Sequence, residues 1–321
     1  MFTTSASTGG YSPAVIPALW RRVFNPQARR RAFEIGKRHY DLGNDLFERL
    51  LDPRMVYSCA YWARASTLAE AQETKHELIC RKLELTRGMG LLDIGCGWGS
   101  LLEFAADRYG VEGVGVTVSE QQAALARERC RGLPVRVELR DYRELTEQFD
   151  RVASVGMVEH VGSRNYPAFM KVAHRCLKPG GLFLLHTIGN NRSVRSGDPW
   201  IEKYIFPNSM LPSLPQLARA AEPYFMVEDL HSFGPYYDRT LMAWEENFRQ
   251  RWPEIAGRYG ERFYRMWHFF LHSCAASFRT RRIQLWQILL GRNPRPEPFS
   301  GVEYLERSHH AAKARRISAG G

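Results

Sequence analysis

Leu91-Leu92-Asp93-Ile94-Gly95-Cys96-Gly97-Trp98-Gly99 carries the strongest local signal in this 321-residue chain. A short apolar run enters three alternating glycines, the pattern of a strand turning sharply into a helix. Glycine lets the backbone turn tightly and approach a ligand closely. Amides at the start of the following helix are free to meet polar ligand groups. The spacing is G-x-G-x-G, not the G-x-G-x-x-G of a dinucleotide site. Thr117 stands where a nicotinamide enzyme would hold the ribose with an acid.

The flanking segments alternate in the same way. Val111–Val118 reads as a strand, Glu120–Arg131 as a helix, and Val135–Leu139 and Asp150–Val155 as strands. Leu182–Ile188 is a fifth strand, entered through the turn Lys178-Pro179-Gly180-Gly181, and Phe225–Leu230 a sixth. This alternation predicts an α/β fold with a doubly wound, mostly parallel sheet. Phe263, Met266, Trp267, Phe270, Leu271 and Cys274 recur at three- and four-residue spacing, one face of a helix, read as a packed core stripe. Ile283–Leu290 reads as a last strand.

Composition narrows the class. Apolar residues are 44 % and charged residues 25 % of the chain, which excludes a largely disordered chain, a collagen-like repeat and a small disulfide scaffold. No apolar run approaches the ~18 residues of a membrane span, and the start lacks the regions of a secretory signal. The six cysteines form no C-x-x-C pair, so no structural zinc site is expected and a reduced, cytoplasmic compartment fits. The net charge of +11 sits mainly at the ends: residues 1–40 carry +6, 279–295 carry +5 and 301–321 carry +2. Basic ends on a near-neutral body point to an anionic surface as partner, nucleic acid or an acidic lipid leaflet, or else to a plain solubilising surface. The arginine clusters lack interleaved aromatics, so nucleic acid is not the expected partner. Residues 1–17 and 309–321 have the composition of disordered termini.

Further segments complete a pattern. They are His39-Tyr40-Asp41-Leu42-Gly43-Asn44-Asp45, Tyr57-Ser58-Cys59-Ala60-Tyr61-Trp62, Gly115-Val116-Thr117-Val118-Ser119, Gly156-Met157-Val158-Glu159-His160-Val161-Gly162 and His186-Thr187-Ile188-Gly189. Tyr204-Ile205-Phe206-Pro207-Asn208, Leu211-Pro212-Ser213 and Phe233-Gly234-Pro235-Tyr236-Tyr237-Asp238-Arg239-Thr240-Leu241 follow. The glycine loop resembles motif I of class I S-adenosylmethionine (SAM) methyltransferases. The whole ordered set, from about residue 37 to about 292, resembles the cyclopropane-fatty-acyl-phospholipid synthase family, which includes the mycolic acid cyclopropane synthases. That resemblance implies a Rossmann-like fold with N-terminal helices and a helical cap over the active site. It divides the chain into a basic, partly disordered arm (1–36), a methyltransferase domain with helical substrate-covering insertions (37–300) and a flexible tail (301–321).

The implied reaction is SAM-dependent cyclopropanation of cis double bonds in lipid acyl chains, phospholipid chains foremost. Methyl transfer leaves a carbocation on the adjacent carbon, a base removes a proton from the new methyl, and the ring closes. Such chemistry needs a bound sulfonium, exclusion of water and a base beside the new methyl. In the family that base is a bound bicarbonate, and the matching positions here are Cys59, Glu159, His186, Ile188 and Tyr237. Glu159 can accept its hydroxyl proton, and His186 and Tyr237 can donate to its oxygens. The SAM positions implied are Tyr57, Ser58, Gly95, Gly97, Thr117 and Gln122, with Asp93 orienting the loop and Asp141 beside the adenine. Glu159 and His186 also stand near the carboxyl ends of strands, the edge that lines the ligand crevice of an open α/β sheet. Taken singly, each has a plainer reading: Cys59 a small buried hydrophobe, Glu159 a helix-start acid, His186 and Tyr237 packed core residues.

Tyr204–Phe206, Met210-Leu211 and the helix around Trp267–Phe270 are candidate linings for an acyl tunnel, or plain core. The implied partners are unsaturated phospholipid acyl chains and an anionic membrane surface, bound peripherally, with a homodimer left open. About 38 residues precede His39-Tyr40-Asp41, so the extra N-terminal domain of the longer bacterial enzymes is not expected. Two other products keep the same fold: a methyl-branched or methylene acyl chain from the same cation, and a small methylated amine.

Overall fold

The computed structural model describes residues 43–293 except Arg195, together with Arg295 and Phe299. The basic arm, the His39–Leu42 part of its motif and the tail lie outside these residues. The elements are α1 (Asn44–Leu50), α2 (Leu68–Lys82), β1 (Gly90–Ile94), α3 (Ser100–Tyr109), β2 (Glu112–Thr117), α4 (Glu120–Arg129), β3 (Val135–Leu139) and β4 (Phe149–Val155). They continue with α5 (Tyr166–Cys176), β5 (Leu177–Asn190), α6 (Pro199–Tyr204), α7 (Leu214–Ala221), β6 (Met226–Ser232), α8 (Pro235–Arg251), α9 (Ala256–Arg279) and β7 (Ile283–Gly291).

Seven strands form one sheet in the order β3-β2-β1-β4-β5-β7-β6. β1 to β5 are parallel, and β7 runs antiparallel between β5 and β6. The strand order reverses between β1 and β4, so the crevice for a ligand opens beyond their carboxyl ends. The predicted turn at 178–181 is absorbed into β5 as a register shift: Phe149 pairs with Leu177, but Arg151 pairs with Leu182.

Alternation along the strands assigns each face. Leu92 and Ile94, with Phe183 and Leu185, pack under α5 and α7. Leu91, Leu184 and Leu289 pack with residues of α2, α3 and α4 on the opposite face. Asp93, His186 and Gln287 share the parity of that second face, and His186 lies directly opposite Gln287 in the ladder. A third apolar cluster joins α1, the segment 51–65, α8 and α9 into a cap. The helical stripe on α9 divides: Trp267, Phe270 and Leu271 are buried, whereas Phe263, Met266 and Cys274 are partly buried against the cap.

Local chemistry sets α2. Thr67 caps it through a capping box, its hydroxyl accepting from the Glu70 amide while the Glu70 carboxylate accepts from the Thr67 amide. The start so fixed turns Gln72, Lys75, His76 and Ile79 inward.

Candidate active site

The glycine loop and the turn after β4 open into a cavity of about 180 Å³. Tyr57, Ser58, Asp93, Gly95, Gly97, Thr117, Gln122 and Asp141 all line it. Gly97 has φ +53°, and a Cβ there would stand in open space, within the cavity that this residue lines. Gly95 has φ +86°, and a Cβ would press to 2.7 Å from Met157. Trp98 anchors the loop, its indole N–H donating to Asn44 Oδ1 at 3.0 Å. Thr117 and Gln122 meet through their side-chain oxygens at 2.9 Å, so the hydroxyl donates to the amide oxygen. Asp141 is buried and held by Arg143, at 2.9 Å from Nε and 2.7 Å from the terminal nitrogen. Asp93 Oδ1 is buried and has no hydrogen-bond partner among the described residues. A backbone cradle without side chains, an unmatched carboxylate oxygen and a polar strand end fit the sulfonium, amino-acid and nucleoside parts of SAM.

Beneath this cavity lies a charge that sequence reading did not single out. Lys75 is fully buried and donates from Nζ to Ser58 Oγ at 2.7 Å. Burial pushes its amine down to about 7, against the opposing charges of Asp52, Cys59 and Asp93. Burial likewise pushes the Asp93 carboxyl up to about 7, with Lys75 pulling it back. Asp52 organises the loop that delivers Tyr57 and Ser58, accepting from the amides of Arg54 at 3.0 Å and Val56 at 2.9 Å.

The second cluster begins where the first ends in sequence. Ser58 and His160 line the cavity; Cys59 and Glu159, their chain neighbours, belong to the cluster. Glu159 sits on the single helical turn Val158–His160 and accepts the Ile188 amide on Oε1 at 2.7 Å. Its Oε2 is buried without a hydrogen-bond partner among the described residues. Desolvation raises this carboxyl to about 7, opposed by its backbone hydrogen bonds and Thr187. Ile188 therefore gives its N–H to Glu159 and is not a spare donor.

His186 is buried, and its Nδ1 stands 3.3 Å from the Gln287 amide nitrogen. Burial, with the positive charges of Lys75 and Lys82, holds its pKa far below the ordinary value. The neutral ring accepts the Gln287 amide proton on Nδ1 and so carries its own hydrogen on Nε2, which has no partner among the described residues. Tyr237, on the first turn of α8, stacks obliquely on Phe278 at 4.6 Å. Burial raises its phenol well above the ordinary range, with Cys59, Tyr57 and Glu159 contributing. Cys59 is fully buried, and burial raises its thiol, so it is a neutral group and not a nucleophile. Thr240 fixes this strip, its hydroxyl accepting from the Ala60 amide at 3.1 Å and the Trp62 indole at 2.9 Å. Lys75, Thr240 and Gln287 are thus the supporting residues that motif reading missed as individuals.

On the apolar side, Phe206 packs near Tyr57, His160 and Phe270 at ring distances of 6.4, 5.7 and 5.8 Å. Tyr204 and Phe269 are exposed and both neighbour Trp200. Trp267 is wholly core. The arginines at 279–295 are less free than their count suggests: Arg292 donates to the carbonyls of His174 and Leu177, Arg295 pairs with Glu84, and Arg279 pairs with Asp238.

Residues 27–288 match the family described as mycolic acid cyclopropane synthetase. Cyclopropane-fatty-acyl-phospholipid synthase of Escherichia coli (strain K12) is 56 % identical over 271 residues, 84 % of this chain and 71 % of that enzyme. Cyclopropane mycolic acid synthase MmaA2 of Mycobacterium tuberculosis (strain ATCC 25618 / H37Rv) is 35 % identical, over 81 % of this chain and 97 % of that one. The structure of MmaA2 superimposes with a TM-score of 0.77 at 34 % identity, covering 81 % of this chain and 98 % of its own. Coclaurine N-methyltransferase, at 21 % identity and a TM-score of 0.73 over 88 % of this chain and 90 % of its own, shares the fold. By sequence and by structure, then, this chain belongs to the mycolic acid cyclopropane synthetase family and is a SAM-dependent methyltransferase.

Proposed function

We propose that the enzyme cyclopropanates cis double bonds in the acyl chains of phospholipids. The carrying observation is the junction of the two clusters. Ser58–Cys59 and Glu159–His160 each place one residue on the cavity that suits SAM and the next in the buried polar group. Methyl donor and base are thereby held side by side, as a reaction that adds a methyl and then deprotonates it requires. The 56 % identity to the Escherichia coli phospholipid enzyme favours phospholipid over other acyl carriers.

SAM supplies the methyl cation. Tyr57, Gly95, Gly97, Thr117, Gln122 and Asp141 hold it, and Asp93 takes its amino-acid end. Bicarbonate, when bound, supplies a small base that both donates and accepts hydrogen bonds. Among the described residues Glu159 Oε2 and His186 Nε2 have no partner, so the first would accept from it and the second donate to it, with the Tyr237 phenol, which is electrostatically coupled to Glu159, as a further donor. The Glu159 carboxylate would accept the hydroxyl proton of that base as the base takes one from the new methyl, and neutral His186 would donate to its oxygen without itself ionising. Phe206, Phe270 and the buried cap exclude water from the carbocation. Tyr204, Phe269 and Trp200 stand at the outer end of this aromatic path, and peripheral attachment to an anionic leaflet brings the acyl chain to it. The catalytic unit on this reading is residues 37–300.

The test is to incubate the protein with SAM and unsaturated phospholipid vesicles and analyse the acyl chains. A gain of one CH₂ with loss of the olefinic NMR signals supports the proposal. A gain of CH₂ with an alkene retained indicates a methylene product, and unchanged chains with SAM bound reject phospholipid as substrate.

A further inference from the structure

Away from the active site, α8 and α9 bring a carboxylate and two imidazoles together. Glu245 on α8 is only 6 % exposed. His268 and His272 lie one turn apart on α9, a spacing that puts both rings on one face. His268 Nδ1 is 3.1 Å from Glu245 Oε1, and His272 Nε2 is 3.9 Å from the same oxygen. The three ligand atoms all lie within 4.8 Å of one another.

We propose that Glu245, His268 and His272 bind one divalent cation of the zinc class, clamping α8 to α9. Two imidazole nitrogens and one carboxylate oxygen are the donor set such ions prefer. Donors about 2.1 Å from a tetrahedral ion stand roughly 3.4 Å apart, so small rotamer shifts bring these three into place. A simple histidine–carboxylate hydrogen bond accounts for His268 alone. It does not account for His272, whose ring centre is 4.3 Å from that of His268 and which closes on the same oxygen. Tyr264 stacks on the His268 ring at 5.9 Å and limits its orientation. Burial fixes the carboxylate, while the half-exposed imidazoles leave an entry path and a coordination position for water. The clamp would act on the two helices that meet at Tyr237 and Phe278.

The experiment uses the full chain, free of any histidine tag and dialysed against chelator, titrated by calorimetry with Zn²⁺ alone. Co²⁺ serves as a visible-absorption probe of the ligand field. One site of about micromolar affinity is expected, weakened at least tenfold by His268→Ala or by His272→Ala. Zn²⁺ should raise the unfolding temperature of the wild type and not that of the double His variant. SAM affinity should be equal in all proteins, which verifies that the variants fold. Equal Zn²⁺ affinity and equal Co²⁺ spectra in wild type and double variant would overturn the site, as would no binding at about 100 μM Zn²⁺.

Discussion

Burial raises the Glu159 carboxyl from its ordinary 4.5 to about 7. Between those values the native state binds more of this proton than the unfolded chain does. Stability from this group is therefore present below about pH 4.5 and is lost as pH rises towards 7. Glu159→Gln keeps the shape and removes the charge. It should stabilise the protein more at pH 8 than at pH 5, by on the order of 2–3 kcal/mol, read as a higher unfolding temperature. Turnover should fall about a hundredfold or more, with SAM affinity retained. Thermal scans at both pH values and a product assay check this, and wild-type turnover would remove Glu159 from the reaction. The places of Glu159 and His186 were legible because one follows β4 and the other lies in the carboxyl-terminal half of β5, both within ordered motifs. Lys75 was not. Between Thr74 and His76 on a helix rich in charged residues it reads as a solvated lysine, and only packing shows it under Ser58. Lys75→Met leaves Asp93 buried without its countercharge, so SAM affinity should drop at least tenfold and stability fall by about 3 kcal/mol. Calorimetry and denaturant unfolding measure the two.

Among the elements, the turn after β1 does most to shape the cavity. Gly97 is its critical position, because a side chain there would occupy the space the backbone leaves for a ligand. Gly97→Leu should abolish SAM binding while leaving the far-ultraviolet circular dichroism unchanged, and retained affinity by calorimetry would refute this use of the loop. β3 was legible to the residue, since a short Val-rich run between turn residues has one reading. β5 was not, because Pro179, Gly180 and Gly181 signal a turn, whereas here the chain bulges and keeps its pairing with β4. The bulge matters for the site: it resets the β4 register so that His186 pairs with Val155, while the unbroken β5–β7 ladder puts His186 opposite Gln287. In α8 the apolar residues Leu241, Trp244 and Phe248 bury the helix in the cap.

At the scale of the molecule, charge and apolar exposure suggest how a lipid is reached. No helix among the described residues is long and apolar enough to cross a membrane. The composition reading counted +5 over residues 279–295, yet two of its arginines, Arg292 and Arg295, are tied into the fold. Linear charge counts cannot see such internal pairing. On the proposed reading, exposed Tyr204 and Phe269 with Lys203 would be the lipid-contacting surface. Sedimentation with anionic vesicles should therefore fall as salt rises, and fall further for Phe269→Ala. Binding indifferent to both would remove this surface. The supporting contacts, like the metal-suited trio on α8 and α9, arise between segments distant in sequence, which no single motif encodes. The most direct test of the chemistry is a reaction with SAM carrying a fully deuterated methyl group, followed by mass spectrometry of the acyl chains. Methyl transfer followed by proton loss from the new methyl predicts a saturated ring carrying two of the three deuterons. A product keeping all three deuterons, or an acyl chain without label, would contradict it.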